Sequence, residues 1–226
     1  MYDRITKLIG ETNIKKINNT TVAVIGLGGV GGSALECLVR SGIENIIIVD
    51  FDKIDITNLN RQIISNITNI GNSKVEEWIK RINIINPNTK VTPLNLKLDM
   101  NNIEELFNLK FDYLIDAIDD IPMKEEIIKR CLTNNIEIIS SMGTGNKLNP
   151  SMLEITDIKN TSYDPIAKKI RKYMKDNNLK RKLPVVYSKE QNNKFEGSIP
   201  SMIFVPSTAG ILCANYVIRK IIEKSL

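Results

Sequence analysis

The stretch TVAVIGLGGVGGSALECLVRSG, residues 21–42, constrains this chain more than any other. An apolar run from Val22 to Ile25 leads straight into Gly26-Leu27-Gly28-Gly29-Val30-Gly31, a G-x-G-x-x-G turn. Val30, Ala34, Leu35, Leu38 and Val39 then recur at helical spacing, and Gly42 closes the helix. Strand, glycine turn and helix in that order form a phosphate-binding unit. The small residues let backbone N–H groups approach anionic oxygens, and the helix N-terminus stabilises negative charge there. A glycine turn of purely structural use is the plain alternative, and the flanking strand and helix weigh against it.

The rest of the chain extends the alternation. NIIIVDFD, ending in Asp50 and Asp52, is a continuous apolar run of the kind buried on both faces of a parallel sheet. Ser73 caps a helix with Val75, Trp78, Ile79, Ile82 and Ile85 on one stripe, and Asn86-Pro87 ends it. Val91 to Leu96 reads as a strand, Ile103 to Phe107 as a short helix, and YLIDAID as another buried strand running up to Asp119 and Asp120. A helix begins at Pro122, and IEIISS follows as a strand. This βαβ order predicts an α/β fold, a doubly wound, mostly parallel Rossmann-like sheet with right-handed crossovers. Beyond residue 150, MLEITDI alternates like an antiparallel strand and Asp164-Pro165 starts a helix. LPVVYS reads as a strand, and Pro206 to Ile222 as an apolar packing helix. The expected organisation is a helical segment at 1–19, a nucleotide-binding α/β domain at 20–150, and a C-terminal part at 151–226 within the same globular unit. NNLKRK and EQNNKFEGS read as loops.

Composition narrows the chemistry. The chain contains no histidine, which removes imidazole bases, Ser-His-Asp triads and histidine metal ligands. Cys37, Cys131 and Cys213 lie far apart in apolar helical contexts, so they read as core thiols; no zinc site or disulfide framework is expected. No apolar run is long enough to span a bilayer and the N-terminus has no secretory h-region, so a cytoplasmic protein is expected. The net charge of +5 is concentrated: residues 165–182 carry +7, and the remainder sums to −2. Lys168, Lys169, Arg171, Lys172 and Lys175 line the helix face opposite its apolar stripe, which suits a polyanionic partner; a plain solvated helix is the alternative.

The loop after Asp50 decides between redox and phosphate chemistry. A hydride-transfer site needs an apolar slot for nicotinamide, whereas this loop offers Asp52, Asn58 and Arg61, with Lys74 arriving at the first turn of the next helix. Two cations near phosphates would neutralise charge on a departing phosphoryl group. Asp119 is placed to bind Mg²⁺ beside them.

GLGGVGG, the strand-end DFD, NLNRQ, the G-x-x-K of Gly71 and Lys74, INP, DAIDD and the N-terminal Tyr2-Asp3-Arg4 together resemble the ubiquitin-activating-enzyme-like superfamily of adenylating enzymes, over roughly residues 1–141. The resemblance implies ATP and Mg²⁺ as cofactors. Gly26, Gly28, Gly29 and Gly31 would cradle phosphate, Asp50 would hold the ribose with Asp52 beside it, and Asn58, Arg61 and Lys74 would contact the phosphates. Asp119 would carry Mg²⁺, and Arg4 would reach the triphosphate, often from a partner subunit, so a homodimer is implied. The segment from ITDIKNTSYDP through GSIPSMIFVPSTAGILCANYVI resembles the branch of tRNA threonylcarbamoyladenosine dehydratases. That branch implies a tRNA carrying threonylcarbamoyladenosine as partner and leaves room for a sulfur-handling helper protein. The branch with sulfur-carrier activators usually has two CxxC pairs here, and this chain has none. Activation of a sulfur carrier's C-terminal glycine, an NAD-dependent oxidoreductase and a tRNA-binding module with an idle nucleotide pocket stand as alternatives.

Overall fold

The computed structural model describes residues 2–191 and 196–223. Part of the EQNNKFEGS loop therefore lies outside the described residues; its described ends belong to no helix or strand. Two helices, α1 (Asp3–Ile9) and α2 (Glu11–Asn19), precede strand β1 (Thr21–Ile25). Then follow α3 (Gly29–Arg40), β2 (Asn45–Asp50), α4 (Lys74–Ile85), β3 (Lys90–Asn95), α5 (Ile103–Phe107), β4 (Tyr113–Asp116), α6 (Ile121–Thr133) and β5 (Glu137–Ser141). The C-terminal part adds β6 (Leu153–Asp157), α7 (Pro165–Asp176), β7 (Pro184–Ser188) and α8 (Phe204–Glu223).

The seven strands form one sheet in the order β3-β2-β1-β4-β5-β7-β6. Every pairing is parallel except β6 with β7, where Ile155 faces Val186 in an antiparallel register. The alternating pattern of MLEITDI anticipates that pair, and the sheet continues without a break from β5 into β7. Alternate residues of the parallel strands feed two cores. Val24, Ile48 and Ile115 face α3, α4 and α8, while Ile25, Val49 and Leu114 face α5, α6 and α7. The central strands β1, β2 and β4 are thus buried on both faces, which explains why they read as unbroken apolar runs, whereas the edge strand β3 is largely exposed. Caps agree with the sequence: Ser73 Oγ accepts from Glu76 N, and Asp164 caps α7 by accepting from Ala167 N.

Two details differ from the sequence reading. β4 stops at Asp116, so Asp119 stands in the loop three residues past the strand end, and Asp120 caps α6. The strand ends there because its partner β1 ends at Ile25, opposite Asp116, where the glycine turn begins, so the next carboxylates fall in the loop. Cys131 and Cys213 are core thiols, but Cys37 is only half-buried.

Candidate functional site

The chain leaves the centre of the sheet in opposite directions after β1: outward through β2 and β3, then back to β4 on the other side. At such a switch point the connections diverge and open a crevice beyond the carboxyl ends of the strands. A cavity of about 370 Å³ lies there, lined by Gly26, Gly28, Gly29, Asp50, Asp52, Arg61 and Asp119, among others.

Glycine geometry shapes its floor. Gly26 has φ of +82° and sits so close to the β4 loop that an added Cβ would lie 2.8 Å from the Ala117 carbonyl oxygen. At Gly31 an added Cβ would fall 1.7 Å from the Gly26 carbonyl oxygen, so this glycine lets α3 pack against the turn. Gly31 is accordingly absent from the cavity wall. Asp50 ties the turn to the second strand: one carboxylate oxygen accepts from Leu27 N at 2.6 Å and the other from Asp52 N at 2.8 Å. Its remaining lone pairs are available for ribose hydroxyls.

Cations approach from one side. Arg61 Nη1 donates to the Thr57 carbonyl oxygen at 2.7 Å and to Asn60 Oδ1 at 3.0 Å, which fixes the guanidinium on the crevice wall. Asn58 shapes that loop instead of lining the crevice: it is buried, and its Oδ1 accepts from Asp55 N at 3.1 Å within a capping box. Lys74 is buried, with Nζ 2.7 Å from Oδ2 of the half-exposed Asp52. It reaches the crevice through that carboxylate and does not line it directly.

Arg4 stands apart. It is exposed on α1, which is anchored by the Tyr2 hydroxyl donating to Glu44 Oε1 (3.0 Å) and accepting from Asn86 Nδ2 (2.8 Å). Glu44 precedes β2, so α1 sits at the amino ends of the strands, across the sheet from the crevice. Among the described residues no three His, Cys, Asp or Glu side chains cluster in a way that could hold a metal ion. Asp119, exposed on the crevice wall, is the available carboxylate. Mg²⁺ takes one or two protein carboxylates and fills its octahedron with phosphate oxygens and water, so this donor set fits a metal brought in by a nucleotide.

Several wall residues escaped the sequence reading, among them Gln62, Lys97, Thr144 and Ser201. The sequence also gave no prominence to a fully buried pair beneath the crevice. Lys124 Nζ lies 2.7 Å from Asp116 Oδ2 and also donates to Ser140 Oγ (3.3 Å) and the Ser141 carbonyl oxygen (3.1 Å). The Asp116 carboxylate in turn accepts from Ser140 Oγ at 2.5 Å and from Ile118 N at 3.3 Å. The network therefore joins the loop carrying Asp119 to the segment leading to Thr144. A signal existed: Lys124 falls on the same helical stripe as Ile127, Ile128 and Cys131.

Of the basic helix, Lys168, Lys169, Lys172 and Lys175 are exposed along α7. Arg171 is half-buried and donates to the Thr161 carbonyl oxygen at 3.0 Å and to the Thr161 hydroxyl, so its charge is partly engaged by the fold. No helix among the described residues is long and apolar enough to cross a membrane.

The switch-point crevice, the glycine turn and Arg61 on the crevice wall define a nucleotide-binding α/β protein arranged for phosphate chemistry. The ThiF family model matches residues 2–225, and the chain belongs to that family. It is 36% identical to the tRNA threonylcarbamoyladenosine dehydratase of Bacillus subtilis, over 98% of this chain and 94% of the relative. The Escherichia coli dehydratase is 33% identical over 92% of this chain and 76% of its own length. A crystal structure of the E. coli dehydratase in complex with ATP superposes with a TM-score of 0.93 at 30% identity, covering 99% of this chain and 94% of that one.

Proposed function

We propose that this chain is an ATP-dependent tRNA threonylcarbamoyladenosine dehydratase that cyclises the modified nucleoside through an adenylated carboxylate. The observation that carries the reading is that the likeness to such dehydratases runs through the C-terminal third as well as the nucleotide domain. The threonyl carboxylate of the substrate attacks the α-phosphorus of ATP and pyrophosphate departs. The neighbouring carbamoyl group then attacks the mixed anhydride, closes a ring and expels AMP, so the lost water oxygen leaves on AMP.

In this reading the glycine turn holds the phosphates, Asp50 holds the ribose, and Arg61 offsets charge on the departing pyrophosphate. Lys74 stays at the crevice mouth on Asp52 and turns to phosphate when ATP enters. Asn58 keeps the Arg61 loop in shape. Mg²⁺ held by Asp119 and the phosphates would supply charge neutralisation at the triphosphate. The exposed lysines of α7 would neutralise tRNA phosphates without reading sequence. The position of Arg4 across the sheet supports a homodimer in which this arginine serves the other copy's crevice. Mixing Arg4→Ala with Arg61→Ala protein should then restore activity that neither variant has alone. The reaction as written moves no sulfur and calls for no sulfur-handling helper. ATP and tRNA as substrates are in keeping with a cytoplasmic enzyme.

The test incubates purified protein with Mg·ATP and tRNA bearing threonylcarbamoyladenosine, then measures nucleoside mass. Loss of one water, only with ATP present, is the expected result. An unchanged nucleoside would overturn the reading, and ATP–pyrophosphate exchange stimulated by a ubiquitin-like C-terminus would replace it with carrier activation.

A further inference from the structure

A second cavity, of about 420 Å³, opens at the far end of α7. It is lined by Ile158, Lys159, Arg171, Met174, Lys175, Asn178, Leu179 and Lys180. Ile158 and Met174 are buried, and half-buried Leu179 packs against the same core, so the floor is apolar. The rim is cationic, and among the described residues no acidic one lines it. Among the described residues, Lys159, Lys175 and Lys180 form no ion pair. The last carbonyls of α7 are satisfied by their own chain: Leu179 N donates to the Met174 oxygen at 2.9 Å and Asn178 N to the Lys175 oxygen at 3.1 Å. The negative end of the helix is therefore partly occupied before any ligand arrives.

This cavity is separate from the nucleotide crevice. The N-cap of α7, Asp164, accepts from Gly143 N at 3.0 Å, next to the crevice residue Thr144. The twelve residues of the helix then carry the chain away by about 18 Å at 1.5 Å per residue. Exposed Lys168, Lys172 and Lys175 fall on one helical stripe, so a line of positive charge joins the two openings.

We infer that this second cavity takes one unpaired nucleotide of the RNA substrate, with its base on the Ile158–Met174–Leu179 floor and its flanking phosphates on Lys159, Lys175 and Lys180. The inference rests on the tRNA reading above. An apolar slot ringed by lysines matches what single-stranded RNA presents: a flat base between two phosphates. The volume lies within the range of pockets that hold ligands of this size. A purely electrostatic patch would need no apolar recess, so the recess is what distinguishes a nucleotide seat from a contact surface.

The experiment uses the full chain, Mg·ATP and a stem-loop of tRNA bearing threonylcarbamoyladenosine, with the intact tRNA beside it. The double variant Lys159→Gln/Lys180→Gln removes two phosphate partners. Its KM for the stem-loop should rise about tenfold, and the slope of log affinity against log salt should flatten by about 1.4, taking about 0.7 per single-strand phosphate contact. Leu179→Trp fills the recess without changing charge. It should raise the KM similarly while leaving the salt slope as in wild type. In both variants the thermal shift given by Mg·ATP should match wild type. An unchanged KM in both variants would overturn the inference, as would a loss that also removes the ATP shift. A salt-slope change in the lysine variant with no effect of Leu179→Trp would reduce the site to a charged surface and overturn the nucleotide seat. Failure of the wild-type protein to convert the intact tRNA would instead defeat the dehydratase reading, and with it this inference.

Discussion

Two lysine–aspartate pairs in this molecule have the same Nζ–O distance, 2.7 Å, and opposite surroundings. Lys124 and Asp116 are both fully buried. Lys74 is almost as deeply buried, but its partner Asp52 has a side chain 47% exposed at the crevice mouth. The sealed pair cannot exchange partners, because water and ligand do not reach it, and its additional bonds to Ser140 and Ser141 satisfy most of what the ammonium can donate. The open pair can exchange, because its carboxylate already competes with solvent. Equal distances therefore sit in different settings: one pair holds two crevice loops in register, and the other, on the proposed reading, is the cation that an arriving phosphate would take over from Asp52.

The largest expected effect tests the sealed half of this comparison. Lys124→Met leaves the Asp116 carboxylate buried without its ammonium and should destabilise the fold by about 3–5 kcal/mol, read by urea denaturation. Removing both charges together in Asp116→Leu/Lys124→Met should recover most of that loss, since a buried pair and an apolar replacement are often close in stability. A single variant as stable as wild type would show that water reaches the pair, and the contrast with Lys74 would collapse.

How far these roles were legible in the sequence follows from how local each one is. The glycine turn, the strand-end Asp50 and the cap at Ser73 depend on neighbours a few residues away, and the structure places them as the sequence pattern expects. The sheet was legible for a related reason: burial on both faces writes itself into β1, β2 and β4 as apolar runs, and β6 at the edge shows itself by alternation. Asp116 and Lys124 escaped because an aspartate ending an apolar run reads as a crevice carboxylate, and only the third dimension shows it facing a lysine. The lysine on the apolar stripe of α6 was the one hint. Asp119 was expected at a strand end, whereas β4 ends three residues earlier, opposite the last residue of β1. Thr144 and Ser201 were illegible, since they reach the crevice from loops whose course is set by packing. The position of Arg4 across the sheet likewise depends on where Tyr2 docks.

A smaller stability effect, with a large functional one, tests the open half. Lys74→Met should cost about 1 kcal/mol, as expected for a pair whose acid is half in solvent. It should nevertheless depress ATP–pyrophosphate exchange by tenfold or more, because the phosphate loses its cation. Arg61→Ala should abolish exchange with unfolding unchanged, and retained exchange would remove Arg61 from the mechanism. If Lys74→Met proved as destabilising as Lys124→Met while leaving exchange intact, the two pairs would have to trade roles.

The smallest effect uses Cys213 as a reporter placed by the sealed pair. Burial pushes its thiol up to about 12; nearby Lys124 pulls the value down, and Asp116 pushes it up. In the unfolded chain the thiol ionises near its ordinary value of about 8.5, while the folded protein holds the proton to much higher pH. Between those values the unfolded state binds fewer protons, so stability falls as pH rises through that window, by up to about 1.4 kcal/mol per pH unit from this group. Below the window the thiol is protonated in both states and contributes no slope. Cys213→Ala should therefore show a shallower alkaline decline than wild type, whatever its offset at neutral pH, when urea unfolding is followed from pH 8 to pH 11. The half-buried Cys37, whose thiol burial also pushes up, should label slowly with a thiol reagent under native conditions, and still faster than the fully buried Cys213. Equal labelling of the two, or parallel alkaline slopes, would mean that water already reaches the layer holding Lys124 and Asp116, and that the dry and open ends of this crevice differ less than their packing implies.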